Sequence, residues 1–286
     1  MLPKPRVSFI YPYFERPSVF LATLRSLEYY YSDESVEIVI VDDGSHPGLV
    51  PLFPDGFKIP SKVVSILDKN GINPCLPINV GVRHANGEII ILSSPEVVHT
   101  DSIFKLANGF KEFGIKDYSV FEVFAITDQL TNSRMISSLT HRDFMNEFSL
   151  LKNNLNKDLG FNGYSYSNPV GSWYNHGEIK PSRLNFLSAI STDSFHQLGG
   201  FDERYRTGTG FDDYEFLRRL IRQNYKIKDI SGGPAIHLEH EEVSSRSDFR
   251  IKLNSNEKLY KNFLRRRYRQ NNQWGTGFDV KVENVN

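Results

Sequence analysis

Apolar positions along this chain follow two rhythms, and the alternation between them predicts its elements. Val7 to Tyr11 is a short β-rich run closed by Pro12. After Pro17, which suits a helix first turn, Val19, Phe20, Leu24, Leu27 and Tyr31 fall on one helical stripe. Val36 to Val41 is then apolar almost without a break, as in a strand buried on both faces of a parallel sheet. Strand, helix, strand at this spacing is a βαβ unit. Further strands are predicted at Val63 to Leu67, Glu88 to Leu92, Tyr118 to Ile126, Asn185 to Ile190, Tyr225 to Ile230 and Ala235 to Leu238. Helices are predicted at Asn79 to Ala85, from a Ser102 cap through Phe113 to a stop at Gly114, and at His141 to Leu155. Another helix carries Phe211, Tyr214, Leu217 and Leu220, and a last one opens on a capping box of Asn254 with Glu257. The expected class is α/β: one domain over about residues 1 to 250, with halves meeting near residue 126, and a helical extension and tail over 251 to 286.

Three stretches carry more polarity or glycine than a core needs. Asp42-Asp43-Gly44-Ser45 sits where the second strand ends, and ligands of open α/β sheets gather outside such ends. Ordinary turn chemistry explains the same residues. Residues 156 to 183 are rich in Gly, Asn, Ser and aromatics and are predicted as a long loop without lasting regular structure. Such loops are usually functional, and Trp173, Tyr174 and His176 form either an acceptor platform of flat faces for a sugar or a local aromatic tether. From Gly199 to Leu220 the chain reads GGFDERYRTGTGFDDYEFLRRL. Here a glycine-rich run delivers Asp212 and Asp213 to a helix amino end, where carboxylates are electrostatically favoured. A carboxylate beside a movable loop suits a general base. A helix cap with an acidic first turn is the plainer reading.

Composition narrows the class. Hydrophobic residues at 39% and charged residues at 24% describe an ordinary globular protein. Lys and Arg total 34, as do Asp and Glu, so no basic excess points to nucleic acid. One cysteine, Cys75, excludes an intrachain disulfide and a cysteine zinc site. No apolar run reaches the roughly 20 residues of a membrane span, and the opening lacks a signal-peptide cleavage pattern, so a cytoplasmic protein is expected. Arg265, Arg266, Arg267 and Arg269 form a basic run that suits a solvated face or a peripheral contact with anionic lipid. Oligomerisation is left open.

Four ordered blocks together resemble the family 2 glycosyltransferases of GT-A fold, with a galactosyltransferase-like second half. They are PYFERP with VDDGS, INVGVRHANGE with SSPE, GGFDE with GFDD, and AIHLEH. The resemblance implies a central, mostly parallel sheet flanked by helices. It also implies inverting transfer of a sugar from a nucleotide sugar, UDP-linked by expectation, to a glycan or other hydroxyl acceptor. By that likeness Tyr11, Pro12 and Tyr13 line the base, and Asp43 or Asp42 accepts its hydrogen bonds. Asn79 and Arg83 lie against the pyrophosphate and ribose, and Asp213, beside Asp212, is the base. Asp202, Trp173 and Tyr174 face the acceptor. Where the family carries Asp-x-Asp this chain has Ser94, Pro95 and Glu96, leaving one carboxylate for Mn²⁺ or Mg²⁺. His237 completes that metal shell by position, with His240 in reserve. An ordinary Asp pKa near 3.9 leaves Asp213 ionised at neutral pH without help. The departure at Ser94 also fits a catalytically silent nucleotide-sugar binder. A nucleotidyltransferase would need a glycine-rich basic loop after the first strand, which PYFERP is not.

Overall fold

The computed structural model describes residues 5–68, 71–155, 171–240, 247–265 and 274–285. In chain order the elements are β1 (Val7–Tyr13), α1 (Pro17–Tyr31), β2 (Val36–Asp42), β3 (Ser61–Ile66), α2 (Cys75–His84), β4 (Ile89–Ser93), β5 (Val97–Val98) and α3 (Ile103–Leu106). They continue with β6 (Asp117–Ile126), α4 (Gln129–Ser137), α5 (His141–Leu155), β7 (Gly171–Asn175), β8 (Leu187–Ser191), α6 (Thr192–Leu198), α7 (Asp212–Arg222), β9 (Lys226–His237), α8 (Phe249–Arg265) and β10 (Val280–Asn284).

One sheet holds the strands in the order β10-β3-β2-β1-β4-β8-β6-β9-β5, with β7 paired to β6. Its centre, β3-β2-β1-β4, is parallel, as is β6 with β9. The antiparallel β8 joins these two groups. The apolar runs are buried on both faces, as a parallel sheet with two helical layers requires. Phe9, Tyr11, Ile38 and Ile40 meet Phe20, Leu24 and Leu27 of α1 on one face. Ile10, Val39, Val41 and Leu92 meet Ile78 and Val82 of α2, Phe195 of α6 and Phe216 of α7 on the other.

Strand direction decides where the chemistry gathers. β8 is antiparallel to both β4 and β6, so β6 and β9 run the same way as β1, β2 and β4. The carboxyl ends of β1, β2, β4 and β9 therefore share one edge. α7 leads into the start of β9, which puts its amino end at that edge as well. A hydrogen bond of 2.8 Å from Asn73, at the mouth of α2, to Asp212 agrees with this placement.

Several local expectations change. α2 starts at Cys75, four residues before the predicted Asn79, because Pro74 and Pro77 stand at the cap and in the first turn, where a missing N–H removes no helical bond. The helix from Ser102 lasts one turn and breaks where Asn108, Gly109 and Phe110 take positive φ. Lys226–His237 is one strand rather than the two predicted over Tyr225 to Ile230 and Ala235 to Leu238, with its register shifting between Phe121 and Val123 of its neighbour. Gly171–Asn175, predicted as loop, is a strand on β6. α8 begins at Phe249, so Asn254 lies inside it and forms no cap. The tail beyond residue 273 folds back onto this same chain, Trp274 buried and β10 paired with β3. Arg266, Arg267 and Arg269 lie outside the described residues, as do residues 156–170.

Candidate active site

The first loop and the Asp-Asp turn are tied together at the shared edge. Asp43 N–H donates to Tyr13 O at 2.9 Å, and Glu15 N–H donates to Ser45 Oγ at 3.0 Å. Asp42 is committed to the turn itself, accepting from the N–H groups of Ser45 and Leu49, both at 3.0 Å. Strand alternation sends Tyr11 and Tyr13 inward, each packing on Phe20, at 5.4 and 5.3 Å, and turns Pro12 partly outward. Of the three residues expected along a base, Pro12 alone has exposed surface of consequence.

Glu96 is placed by a small antiparallel join. Val97 of β5 pairs with His237 at the end of β9, and Leu238 N–H donates to Glu96 O at 2.9 Å. Thr23 of α1 fastens the same loop by donating to Pro95 O at 2.7 Å. The result is a cluster of three metal-competent groups, Glu96, His237 and His240, whose ligand atoms all lie within 4.8 Å of one another. Glu96 Oε1 is 2.8 Å from His240 Nε2, 3.6 Å from His237 Nε2 and 2.7 Å from Arg16 Nη1. Burial pushes this carboxyl up. Hydrogen bonds from His237 and His240, with charge from His237 and the Arg16 guanidinium, outweigh burial and hold it well below the usual carboxylate range.

These residues fit a divalent ion. Glu96 Oε2 is buried with no hydrogen-bond partner among the described residues, and a buried unmet oxygen among two imidazoles is what a cation would satisfy. One carboxylate and two imidazoles make an ordinary donor set for Mn²⁺ or Zn²⁺. Tyr174 stands next to this cluster, its ring edge-on to His237 at 4.7 Å and stacked on Phe186 at 4.5 Å. Trp173 points the other way, buried against Phe124 at 5.2 Å.

The acid pair has a distinct geometry. Gly210 and Phe211 both take positive φ before α7, so Phe211 holds the cap position and Asp212 is the first helical residue. Neither acid caps the helix. Asp212 is buried and accepts from Asn73. Burial, and then the charge of Asp212, push the half-buried Asp213 up to about 7. The ordinary ionisation expected for Asp213 is thus not what its surroundings produce.

The remaining candidates knit the framework. Asn79 is fully buried, donating to Phe201 O at 2.9 Å and Glu203 Oε1 at 2.8 Å and accepting from Phe201 N–H at 2.7 Å. Arg83 lies over the Trp274 ring at 4.1 Å and donates to Trp274 O. Asp202 caps a 3₁₀ turn and pairs with Arg204. Two residues were overlooked in the sequence. Arg16 lies inside PYFERP, and its charge beside an acid-poor helix start was the available signal. Asn73 gave none, since its partner is 139 residues away.

Comparison with known proteins decides the family. The model of glycosyl transferase family 2 matches residues 8–167, more than half of the chain. The chain belongs to glycosyl transferase family 2. A second family model, the N-terminal domain of galactosyltransferase, matches residues 185–241. No curated protein sequence matches it. Among solved structures it is similar to the mannosyltransferase PcManGT from Pyrobaculum calidifontis in complex with GDP-Man and Mn²⁺. That match has a TM-score of 0.51 and 16% identity, covering 85% of this chain and 59% of the other. It is similar also to S. aureus TarS 1-349 in complex with UDP-GlcNAc, with a TM-score of 0.53 and 17% identity, covering 91% of this chain and 71% of the other. The family 2 chain thus spans under two thirds of PcManGT, and these likenesses establish its GT-A fold. Among the described residues no helix is long and apolar enough to cross a membrane.

Proposed function

We propose that this protein transfers a sugar from a nucleotide sugar, UDP-linked, to a hydroxyl acceptor with inversion at the anomeric carbon. The observation that carries this reading is that the amino end of α7, with Asp212 and Asp213, opens at the sheet edge that also holds Asp43, Glu96, His237 and His240. Asp213 takes the proton of the acceptor hydroxyl as that oxygen attacks, and the bond from sugar to diphosphate breaks on the opposite side. Asp43 and Pro12 hold the nucleoside. Glu96, His237 and His240 would hold a divalent ion, which supplies positive charge against the leaving diphosphate. Tyr174, beside His237, offers an aromatic face to the acceptor. Nucleotide sugars in the PcManGT and TarS complexes support the donor class. A role in glycan or polysaccharide assembly at the cytoplasmic side belongs to the same proposal.

The test is a panel of nucleotide sugars, each with Mn²⁺ or EDTA, read by thermal shift and by nucleotide release. A ligand that binds the folded form raises its melting temperature by mass action. Stabilisation by one UDP-sugar, with slow UDP release that Asp213→Asn abolishes, is the expected result. Stabilisation without release, and with no transfer to any acceptor, would favour the silent binder that the Ser94 departure from Asp-x-Asp suggests.

A further inference from the structure

The Arg16 contact with Glu96 has no part in the chemistry above, and it bears directly on the metal. Arg16 Nη1 and His240 Nε2 both approach Glu96 Oε1, at 2.7 and 2.8 Å, while Oε2 has no hydrogen-bond partner among the described residues. An ion coordinated by Glu96, His237 and His240 would sit within a few ångströms of this guanidinium. Two positive groups at that range in a poorly hydrated site repel strongly. With a second Asp in the loop, as in Asp-x-Asp, two carboxylates could share the two cations. Here Ser94 leaves Glu96 as the loop's carboxylate, so among the described residues one carboxylate faces both.

We propose that Arg16 and the divalent ion compete for Glu96, and that ion binding moves the Arg16 guanidinium from Glu96 onto the diphosphate the ion carries. This rests on the metal reading of the Glu96, His237 and His240 cluster. Several features make the exchange cheap. Among the described residues Arg16 donates one contact to Glu96 rather than a fork, and its side chain is 27% exposed against 7% for Glu96, so its outer end can reach water. It stands at the cap of α1, a 15-residue helix with no acid in its first turn, so an arriving diphosphate meets positive potential from both sources. An arginine fork suits phosphate oxygens better than a single carboxylate oxygen does. Free ion alone is then a weak ligand, and ion together with nucleotide a strong one.

The experiment is Mn²⁺ titration of the purified protein, followed by electron paramagnetic resonance of free Mn²⁺, with and without UDP. It compares wild type, Arg16→Gln, Arg16→Lys and Glu96→Gln, with thermal unfolding to confirm that each is folded. Arg16→Gln is expected to bind Mn²⁺ alone about tenfold more tightly than wild type, and Mn²⁺ with UDP about tenfold more weakly. Arg16→Lys, which keeps the charge, should stay near wild type for Mn²⁺ alone. Glu96→Gln should lose the ion in every background. If Arg16→Gln binds Mn²⁺ alone no more tightly than wild type while Glu96→Gln abolishes binding, the competition is overturned and the metal site stands. If wild type and Arg16→Gln both fail to bind Mn²⁺, or Glu96→Gln changes nothing, the metal reading falls and the competition with it.

Discussion

Asp213 sits where two effects oppose each other. The amino end of α7 favours an anion there, while burial and the neighbouring Asp212 disfavour one. The second pair wins, and the carboxyl is pushed up to about 7. A general base acts only when deprotonated, so transfer should rise about tenfold per pH unit on the acid side and level off above about pH 7. A pH profile of the transfer rate checks this, and a rate already flat at pH 6 would contradict it. Asp213→Asn should lower transfer by about 10² to 10⁴ and leave nucleotide binding in place. The linked effect on stability has a definite sign. Between the unfolded value near 3.9 and the folded value near 7, the unfolded chain releases a proton that the folded one keeps, so stability falls as pH rises through that window. Asp213→Asn should therefore melt higher than wild type at pH 8, with the difference vanishing near pH 4. Much of this site could be read from residue order, because GFDD announces an acid pair in any surroundings. The shift could not, since it depends first on burial, which only the folded chain supplies. Tyr11 and Tyr13 show the converse: the motif that marks a ligand loop is also a strand, and alternation claims both rings for the core.

Among the elements, α7 depends on a pair that its surface pattern hides. Glu215 and Arg219 are both buried, an i,i+4 ion pair with contacts of 2.8 to 3.0 Å, and Arg219 also donates to Leu198 O at 2.8 Å. This ties the helix bearing the acid pair to the end of α6. Removing one partner of a buried pair leaves the other charge without compensation, so Arg219→Ala should cost about 3–5 kcal/mol in urea unfolding. Replacing both residues by Leu and Met should restore much of that loss. Strands of continuous apolar residues, and helices such as α1 with an unbroken stripe, were legible because burial on a known period selects them. α2 was placed late because its prolines read as breakers, although the first turn tolerates them. β7 was missed because its Gly171 and polar Ser172 and Asn175 resemble loop, while its pairing partner β6 lies more than 40 residues earlier. For β7 the deciding contact is remote in sequence.

For the whole molecule, the segment after residue 273 closes a circuit through the second face of the sheet. Trp274 is 2% exposed, packed on Phe195 at 5.3 Å and His196 at 4.9 Å, with Arg83 across its other side. Gly275 N–H donates to Glu203, which also accepts from Asn79, and Asn79 in turn pairs with Phe201 on both its N–H and its carbonyl. Gly200, at φ +64°, lets this turn pass, since a Cβ there would lie 2.6 Å from Asn79 Oδ1 and 2.8 Å from the Trp274 ring. β10 then adds to β3 at the sheet's edge. The tail thus holds α2, α6 and the GGFDE turn together, and that turn precedes the acid pair by fewer than ten residues. Trp274→Ala should lose about 3–5 kcal/mol, the usual cost of emptying a large buried aromatic site. Trp274→Phe should recover part of it. Removal of residues 274–286 should go further, exposing the edge of β3 and loosening the GGFDE turn. Protease digestion would then cut near residues 199–211 in the truncated chain but not in the full one. An unchanged digestion pattern and an unchanged urea midpoint would show that α2, α6 and the turn hold one another without the tail.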